Sequence, residues 1–214
     1  EMGADVTGYS LKPHKNQVLS SLLKIPTKSH DDLIDISNLN KKILDAEPEI
    51  IFHLAAQPLV IDSINDPVNT FHTNIVGTIN LIECIKHKKN IKSVVIVTSD
   101  KCYALPGSNI QLNEFAPLGG NDPYSASKAC CELIVNAYKK TFFDGSSSPK
   151  IVTARAGNVI GGGDFSLNRI IPDIIRALES NNKIFIRNPN HVRPWQHVLD
   201  PIYGYMLLAK YQFE

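Results

Sequence analysis

Short, continuous apolar runs alternate along the chain with helix-forming segments, and this alternation limits the possible folds more than any other feature. Residues 50–54 and 93–97 have the length and the β-branched content of strands that are buried on both faces. Residues 4–9 and 151–154 are further candidates, and residues 183–187 alternate as an edge or half-buried strand does. Strands that alternate with helices form βαβ units around a parallel sheet. We therefore predict an α/β fold with a doubly wound parallel sheet.

Three Asp-Pro pairs mark the starts of predicted helices. An aspartate side chain accepts hydrogen bonds from the first turn of a helix, and proline suits the first helical position. Apolar residues recur at helical spacing after Asp66-Pro67 and after Asp122-Pro123, and Asp200-Pro201 leads into the apolar run 206–209. These segments are predicted to be helices with one apolar face.

Charge and hydropathy exclude several functional classes. The 214 residues contain 22 Lys and Arg against 21 Asp and Glu, a formal net charge of +1. This balance argues against a basic surface for nucleic acid or for an anionic membrane. No apolar run approaches the roughly 18 residues of a membrane span, and residues 1–5 lack the features of a signal peptide. We expect a soluble cytoplasmic protein that binds neither nucleic acid nor membrane.

The four cysteines, Cys84, Cys102, Cys130 and Cys131, argue against a disulfide framework and against a metal site. They form no CxxC pair, and no histidine stands at a ligand spacing beside them. Reduced thiols are the usual state in the cytoplasm. We therefore expect free cysteines and no bound metal.

Tyr124 and Lys128 are the sharpest local signal for chemistry. Residues four apart share a helix face, where a lysine ammonium can lower the pKa of a phenol. A phenolate can remove a proton from a hydroxyl while a hydride leaves the same carbon. An isolated pair of this type is more often an ordinary surface pair. Here it falls in the first turn of a capped helix, downstream of the polar strand end Thr98-Ser99-Asp100, and this context favours catalysis.

Five segments carry a resemblance to a known superfamily. Residues 98–103, 118–128 and 155–164 resemble the extended short-chain dehydrogenase/reductases, and residues 53–58 and 193–201 agree with that likeness. Within the superfamily they are most similar to the CDP-glucose 4,6-dehydratases. That finer similarity rests chiefly on a Ser-Asp-Lys-Cys-Tyr run and on the Gly-Gly-Asn-Asp-Pro approach to the tyrosine.

The resemblance implies a Rossmann-like fold, NAD as the cofactor and the nucleotide sugar CDP-glucose as the substrate. A hydride would leave carbon 4 of the glucose, water would be eliminated across carbons 5 and 6, and the hydride would return to carbon 6. The product would be CDP-4-keto-6-deoxyglucose. Three alternatives stay open: a related NAD-dependent nucleotide-sugar epimerase, a dTDP- or GDP-sugar dehydratase, and a non-catalytic dinucleotide-binding module.

The same resemblance implies catalytic roles for neighbouring residues. Tyr124 would be the base at the 4-hydroxyl, and Lys128 would hold the nicotinamide ribose and favour the phenolate. Ser99 would hydrogen-bond the 4-oxygen, while Asp100 would protonate the departing 6-hydroxyl, which requires a raised pKa. Lys101 would be the base at carbon 5 if its amine is partly neutral. A solvated charge or a phosphate contact is an equally open interpretation of Lys101.

Further residues are implied in binding. Asn74 would support the active-site backbone, although a buried asparagine can also serve the structure alone. Asp35 and Ile36 resemble a pair beside the adenine, or they form an ordinary loop. The implied cofactor-binding residues are Asp35, Ile36, Ala55, Ala56, Gln57, Asn74, Thr98, Tyr124 and Lys128. The implied substrate-binding residues are Asn158, Arg169 and Arg193, of which Arg193 would meet the diphosphate or form a salt bridge.

The sequence lacks the glycine-rich turn that dinucleotide-binding folds carry after their first strand. Gly3 and Gly8 are the early glycines, and no GxxGxxG occurs. We therefore assign residues 1–160 to a dinucleotide-binding domain without its first strand and phosphate loop, and residues 161–214 to part of a substrate-binding region. We expect these residues alone to be inactive or nearly so.

Cofactor choice and oligomeric state are also implied. Residues 9–13 lack the acidic side chain that usually binds the adenosine ribose, and Lys12 or Lys15 would tolerate a 2′-phosphate, yet the internal hydride cycle favours NAD over NADP. In the superfamily, two helices from each subunit form a four-helix bundle. We expect a homodimer through the helices that open at Pro67 and Pro123, with burial against the protein's own sheet as the alternative.

Overall fold

The computed structural model describes residues 3–13, 27–104, 111–145 and 148–214. Strands and helices alternate through these residues, as the sequence predicts. The strands are β1 (Gly8–Ser10), β2 (Thr27–His30), β3 (Ile50–His53), β4 (Ser93–Val97), β5 (Lys150–Ala154), β6 (Asn158–Ile160) and β7 (Trp195–His197). The α-helices are α1 (Ile36–Ala46), α2 (Val60–Asn65), α3 (Pro67–Phe71), α4 (Gly77–Ile85), α5 (Pro123–Phe142), α6 (Ile170–Glu179) and α7 (Leu199–Phe213).

The central sheet consists of β3, β4 and β5 in that order, and all of its strands are parallel. Val94 and Ile96 of β4 point into one apolar core, which α1, α4 and α5 complete. The intervening Val95 points to the other face and packs with Ala209 of α7. Helices therefore cover both faces of β4, and the predicted doubly wound α/β fold is confirmed.

Two smaller parallel pairs accompany the central sheet, β1 with β2 and β6 with β7. The β6–β7 pair extends the chain beyond the end of β5 and places Asn158 opposite Trp195. This second pair, which the sequence did not predict, brings residues 193–197 back beside the carboxyl ends of the central strands.

Two of the three Asp-Pro pairs cap helices as predicted. Asp66 accepts from the backbone of Asn69, and Asp122 accepts from the backbone of Ser125. The third prediction is wrong, because α7 begins at Leu199 and Val198 already has helical torsion angles. Asp200 consequently lies inside the first turn and does not cap it.

The helix predicted after Asp66 is interrupted by a π-helix, His72–Val76, between α3 and α4. The backbone N–H of Gly77 donates to the carbonyl of His72, the wider spacing that defines a π turn. Apolar periodicity continues through this segment, so the sequence pattern alone does not distinguish it from an α-helix.

The predicted strand at 183–187 is absent from the structure, which assigns no strand there. Its apolar side chains remain exposed because no neighbouring strand pairs with them; Phe185 is 83% exposed. The strand predicted at 4–9 is shorter than expected and shifted, since β1 covers Gly8–Ser10.

No helix in the described ranges is long and apolar enough to cross a membrane. Within the same ranges, no group of three or more His, Cys, Asp and Glu side chains is arranged to hold a metal ion.

Candidate active site

A cleft of about 930 Å³ opens at the carboxyl ends of β4 and β5. Ligands of doubly wound folds bind at this edge of the sheet, because the loops that follow parallel strands converge there. Most of the sequence-predicted chemical residues line it. They are Thr98, Ser99, Asp100, Lys101, Tyr124, Asn158, Arg169 and Arg193.

Tyr124 lies in the first turn of α5 and is 9% exposed. Its backbone N–H, which has no partner within the helix, donates to the hydroxyl of buried Ser63 over 3.2 Å. Burial raises the pKa of the Tyr124 phenol, a hydrogen bond with Ser99 opposes that rise, and the charge of Asp100 adds to it. The pKa of Tyr124 is raised overall.

Lys128 lies one helical turn beyond Tyr124, on the buried face of α5. Its ammonium donates to the carbonyl of Val97 over 3.1 Å. Burial lowers the pKa of Lys128. For Tyr124 desolvation is the largest influence and prevails over the groups that favour the phenolate, so the lowering of the phenol pKa by Lys128 stays a prediction.

Ser99 and Asp100 follow β4 at the start of a short 3₁₀ turn, Asp100–Cys102. The Ser99 hydroxyl donates to Asp100 Oδ1 over 3.2 Å and accepts from the backbone N–H of Lys101. The backbone N–H of Asp100 donates to the carbonyl of Ala156 over 3.1 Å. These bonds hold the polar strand end beside the loop that follows β5.

Lys101 lines the cleft, and its side-chain nitrogen lies 5.8 Å from the centroid of the Tyr124 ring. Burial lowers its pKa, and Arg193 and Arg169 act in the same direction, while Asp122 and Asp100 oppose them. The lowered pKa is what a lysine base requires. The cation above the ring also brings the two predicted bases to the same part of the cleft.

Asn74 joins three segments beneath the cleft and is 1% exposed. Its side-chain oxygen accepts from the backbone N–H of Gln57, and its amide nitrogen donates to the carbonyl of Gln57 and to the hydroxyl of Ser127. The backbone carbonyl of Asn74 also accepts from the hydroxyl of Thr78 over 2.7 Å. Asn74 in the π-helix thus forms hydrogen bonds with both its side chain and its backbone carbonyl.

The remaining predicted cofactor residues are less closely grouped. Ala55 and Ala56 follow β3 directly, the former exposed and the latter partly buried. Asp35 caps α1 by accepting from the backbone N–H of Asn38, and neither Asp35 nor Ile36 lines the cleft. The structure therefore does not bring Asp35 and Ile36 together with the catalytic candidates.

The predicted substrate residues differ in their pairing. Arg169 forms an exposed ion pair with Asp164 at 3.3 Å. Arg193 has no carboxylate within ion-pair distance in the described part of the chain, and its Nη2 lies 3.3 Å from Nδ1 of His191. Asn158 donates its backbone N–H to the carbonyl of Pro194, which fixes the Arg193 segment beside the cleft.

Sequence reasoning missed several buried polar residues that organise the site. Ser63 binds the backbone of Tyr124, Ser127 binds Asn74, and Glu132 contacts the ends of β4 and β5. Helical spacing gave a usable signal for Glu132, because it stands four residues after Lys128 on the same helix face. No comparable pattern marks Ser63.

The chain is similar in sequence to known proteins. Residues 12–212 match the family described as GDP-mannose 4,6 dehydratase. The chain is 44% identical over 217 residues to a CDP-glucose 4,6-dehydratase of Salmonella typhimurium, covering 98% of this chain and 60% of that protein. It is 28% identical to a UDP-glucose 4-epimerase of Mycoplasma genitalium, covering 92% of this chain and 61% of that protein. The chain thus spans about three fifths of the length of these relatives.

A solved structure supports the fold and the family. The dTDP-glucose 4,6-dehydratase of Streptomyces venezuelae, solved with NAD bound, superposes with a TM-score of 0.73 at 27% identity. The match covers 85% of this chain and 54% of that one. The likeness to the extended short-chain dehydrogenase/reductases is thereby confirmed, and the chain belongs to the GDP-mannose 4,6 dehydratase family of that superfamily.

Proposed function

We propose that this chain carries the catalytic centre of a CDP-glucose 4,6-dehydratase that uses NAD. The observation that carries the proposal is that Ser99, Asp100, Lys101 and Tyr124 line a single cleft. A 4,6-dehydratase needs a base that removes the proton of the 4-hydroxyl, an acid that protonates the departing 6-hydroxyl and a base that removes the proton on carbon 5. The 44% identity to the Salmonella typhimurium enzyme supports the choice of CDP-glucose.

The residues around Lys128 fit a bound dinucleotide. Its ammonium is buried and, within the described residues, donates to the carbonyl of Val97 alone, which leaves donor capacity for a ribose hydroxyl. A buried cation with a single hydrogen-bond acceptor is costly, so a site of this kind favours a further polar ligand. Bound NAD⁺ would supply one kind of chemistry, the acceptance and later return of a hydride.

The proton transfers can be assigned to the chain's own side chains. The Tyr124 phenolate takes the proton of the 4-hydroxyl, which Ser99 holds by a hydrogen bond, and carbon 4 becomes a ketone as its hydride departs. The ketone acidifies the proton on carbon 5, which the neutral amine of Lys101 removes. Asp100 gives its proton to the 6-hydroxyl, which leaves as water. The hydride then adds to carbon 6, and the Lys101 ammonium returns a proton to carbon 5.

The lowered pKa of Lys101 supports its part in this sequence, since burial and two arginines favour the neutral amine. The raised pKa of Tyr124 means that its phenolate is scarce in the protein alone. The positive charge of an oxidised nicotinamide near the phenol would offset that cost.

The deciding experiment follows deuterium from carbon 4. The full-length gene product is incubated with NAD⁺ and CDP-glucose deuterated at carbon 4, and the product is examined by NMR. We expect a 4-keto-6-deoxy sugar with the deuterium on carbon 6, and a Tyr124→Phe variant that forms none. An inverted carbon 4 without loss of water would indicate an epimerase. Conversion only of dTDP- or GDP-sugars would change the substrate, and NAD binding without turnover would indicate a binding module.

A homodimer through α3 and α5 is part of the proposal. The two helices pack beside each other and leave large apolar side chains exposed; Val68 is 76% exposed and Leu133 is 58% exposed. The buried face of α5 instead carries Tyr124, Lys128 and Val135, so the protein's own sheet does not use the Leu133 face.

The free state of all four cysteines supports a reducing compartment such as the cytoplasm.

A further inference from the structure

Glu132 is a buried carboxylate that the reaction above does not use. It lies one turn after Lys128 on the buried face of α5 and is 6% exposed. A buried carboxylate is tolerated only when it is paired and hydrogen-bonded. Its full set of contacts therefore reveals what the residue stabilises.

Both carboxylate oxygens of Glu132 are engaged. Oε1 accepts from the Thr98 hydroxyl, and Oε2 accepts from the Thr153 hydroxyl over 2.9 Å and from Arg155 over 2.8 Å. Burial alone would raise the pKa of Glu132, but the bonds from Arg155, Thr98 and Thr153 prevail and lower it. The group is thus an anion in the folded protein at neutral pH.

These contacts tie α5 to the ends of two central strands. Thr98 directly precedes Ser99, and its backbone N–H donates to the carbonyl of Ala154 at the end of β5. Thr153 lies in β5. A shift of α5 along the sheet would break all of the Glu132 bonds together, so the carboxylate fixes the helix that carries Tyr124 against the strand that carries Ser99.

Arg155 extends the connection to the loop beside Lys101. Its guanidinium lies 4.9 Å from the centroid of the Tyr103 ring, and its Nη1 donates to the carbonyl of Glu114 over 3.2 Å. Tyr103 follows the short turn that contains Lys101, and it pairs with Leu118 in an antiparallel bridge. The Glu132–Arg155 pair therefore contacts the chain on both sides of Asp100 and Lys101, the proposed acid and the proposed base at carbon 5.

We propose that Glu132 is a positioning residue for the dehydration, which holds Ser99, Asp100 and Lys101 at a fixed distance from Tyr124 and Lys128. This inference rests on the proposed function. It makes a specific claim about rate, because groups that are displaced by about 1 Å can lose on the order of 100-fold in rate without loss of substrate binding.

Glu132→Gln is the informative variant. The amide keeps the volume of the side chain and one oxygen that accepts from Arg155. Its NH₂ group, however, faces the Thr98 hydroxyl and cannot accept a hydrogen bond from it. The hydroxyl hydrogen of Thr98 must then point to the carbonyl of Ala154, 3.3 Å away. Glu83→Gln is the matched control, since Glu83 lies on α4 and also pairs with a cation, Lys86, and with a hydroxyl, that of Tyr138 on α5.

The test measures steady-state turnover of CDP-glucose and, in a single turnover, the absorbance of reduced nicotinamide in the full-length gene product. We expect Glu132→Gln to lower kcat by about 10- to 100-fold with KM within about 3-fold, and to prolong the reduced-nicotinamide signal because elimination is slowed. Glu83→Gln should match the wild type in both measurements. A Glu132→Gln protein with wild-type kcat and signal decay would overturn the inference.

Two further results separate the possible failures. If Glu132→Gln does not fold, Thr98→Val decides the question, because it removes the hydroxyl that binds Glu132 and the Ala154 carbonyl but keeps the Glu132 bonds to Thr153 and Arg155; a lowered kcat supports the positioning role and a wild-type kcat overturns it. If the wild-type protein converts no nucleotide sugar, the proposed function has failed, and the positioning role fails with it.

Discussion

The side-chain nitrogen of Lys101 lies 5.8 Å from the centroid of the Tyr124 ring, although the two residues come from different structural elements. The turn after β4 supplies the lysine and the first turn of α5 supplies the tyrosine. Burial lowers the pKa of the lysine and raises that of the phenol. Both shifts are in the direction of the neutral forms, which is the direction that a lysine base requires.

Lys101→Met should lower kcat by about 100- to 10,000-fold, the usual contribution of a general base. The neutral amine is the active form, so turnover of the wild type should rise with pH through the pKa of Lys101. Because that pKa is lowered from 10.5, the rise should come at lower pH than for an ordinary lysine. The pH profile of kcat checks this, with exposed Lys41→Met as the control. An unchanged rate in Lys101→Met would favour a phosphate contact or a solvated charge.

Ser99→Ala should shift the pH dependence of the oxidation toward alkaline values. The hydrogen bond between Ser99 and Tyr124 lowers the pKa of Tyr124, so its removal raises that pKa further, and the active phenolate forms at higher pH. We expect kcat/KM at neutral pH to fall about 10- to 100-fold. The pH profile of kcat/KM measures the shift, and exposed Ser37→Ala should reproduce the wild-type profile. A fall in rate at all pH values without a shift would contradict this account.

Asn74→Ala should destabilise the protein by about 2–4 kcal/mol, because the variant removes the hydrogen bonds that join buried Asn74 to the backbone of Gln57 and to the hydroxyl of Ser127. Urea unfolding measures the free energy. Asn136→Ala, an exposed position on α5, should stay within about 0.5 kcal/mol of the wild type. Equal stability of the two variants would show that the Asn74 bonds contribute little.

Gly120→Ala should impair both stability and turnover. An added Cβ would lie 2.4 Å from the backbone nitrogen of Ala126, so the start of α5 and Tyr124 with it would have to move. We expect a loss of about 1–3 kcal/mol in unfolding free energy and of about tenfold or more in kcat. Gly162→Ala is the control, because nothing lies within 4 Å of its added Cβ. If the two variants behave alike, the close approach at Gly120 is unimportant.

Leu133→Glu should convert the proposed homodimer to a monomer. A charge on this face of α5 would have to be desolvated in the interface, at a cost that an apolar contact does not carry. Light scattering coupled to size-exclusion chromatography measures the mass. Leu178→Glu places the same charge on the similarly exposed Leu178 of α6 and should leave the mass unchanged. A monomeric wild type would refute the interface.

The local elements were predictable where a short pattern carries its own physical cause. Apolar runs identified β3, β4 and β5, and aspartate followed by proline identified the starts of α3 and α5. The same logic failed at Asp200, where the preceding residue was already helical. It also failed at 183–187, where no strand among the described residues pairs with the alternating segment.

The sequence by itself determined the α/β class and the motif-based family likeness, because both depend on patterns along the chain; through that likeness it also pointed to Tyr124, Lys128, Ser99 and Asp100 as candidates. Only the tertiary structure decided how these groups are tuned and held. Desolvation sets the directions of the pKa shifts of Tyr124 and Lys101, and desolvation depends on everything packed around a group. Glu132 could likewise be recognised as a connector only after folding, because its partners lie 21 to 34 residues away in the chain.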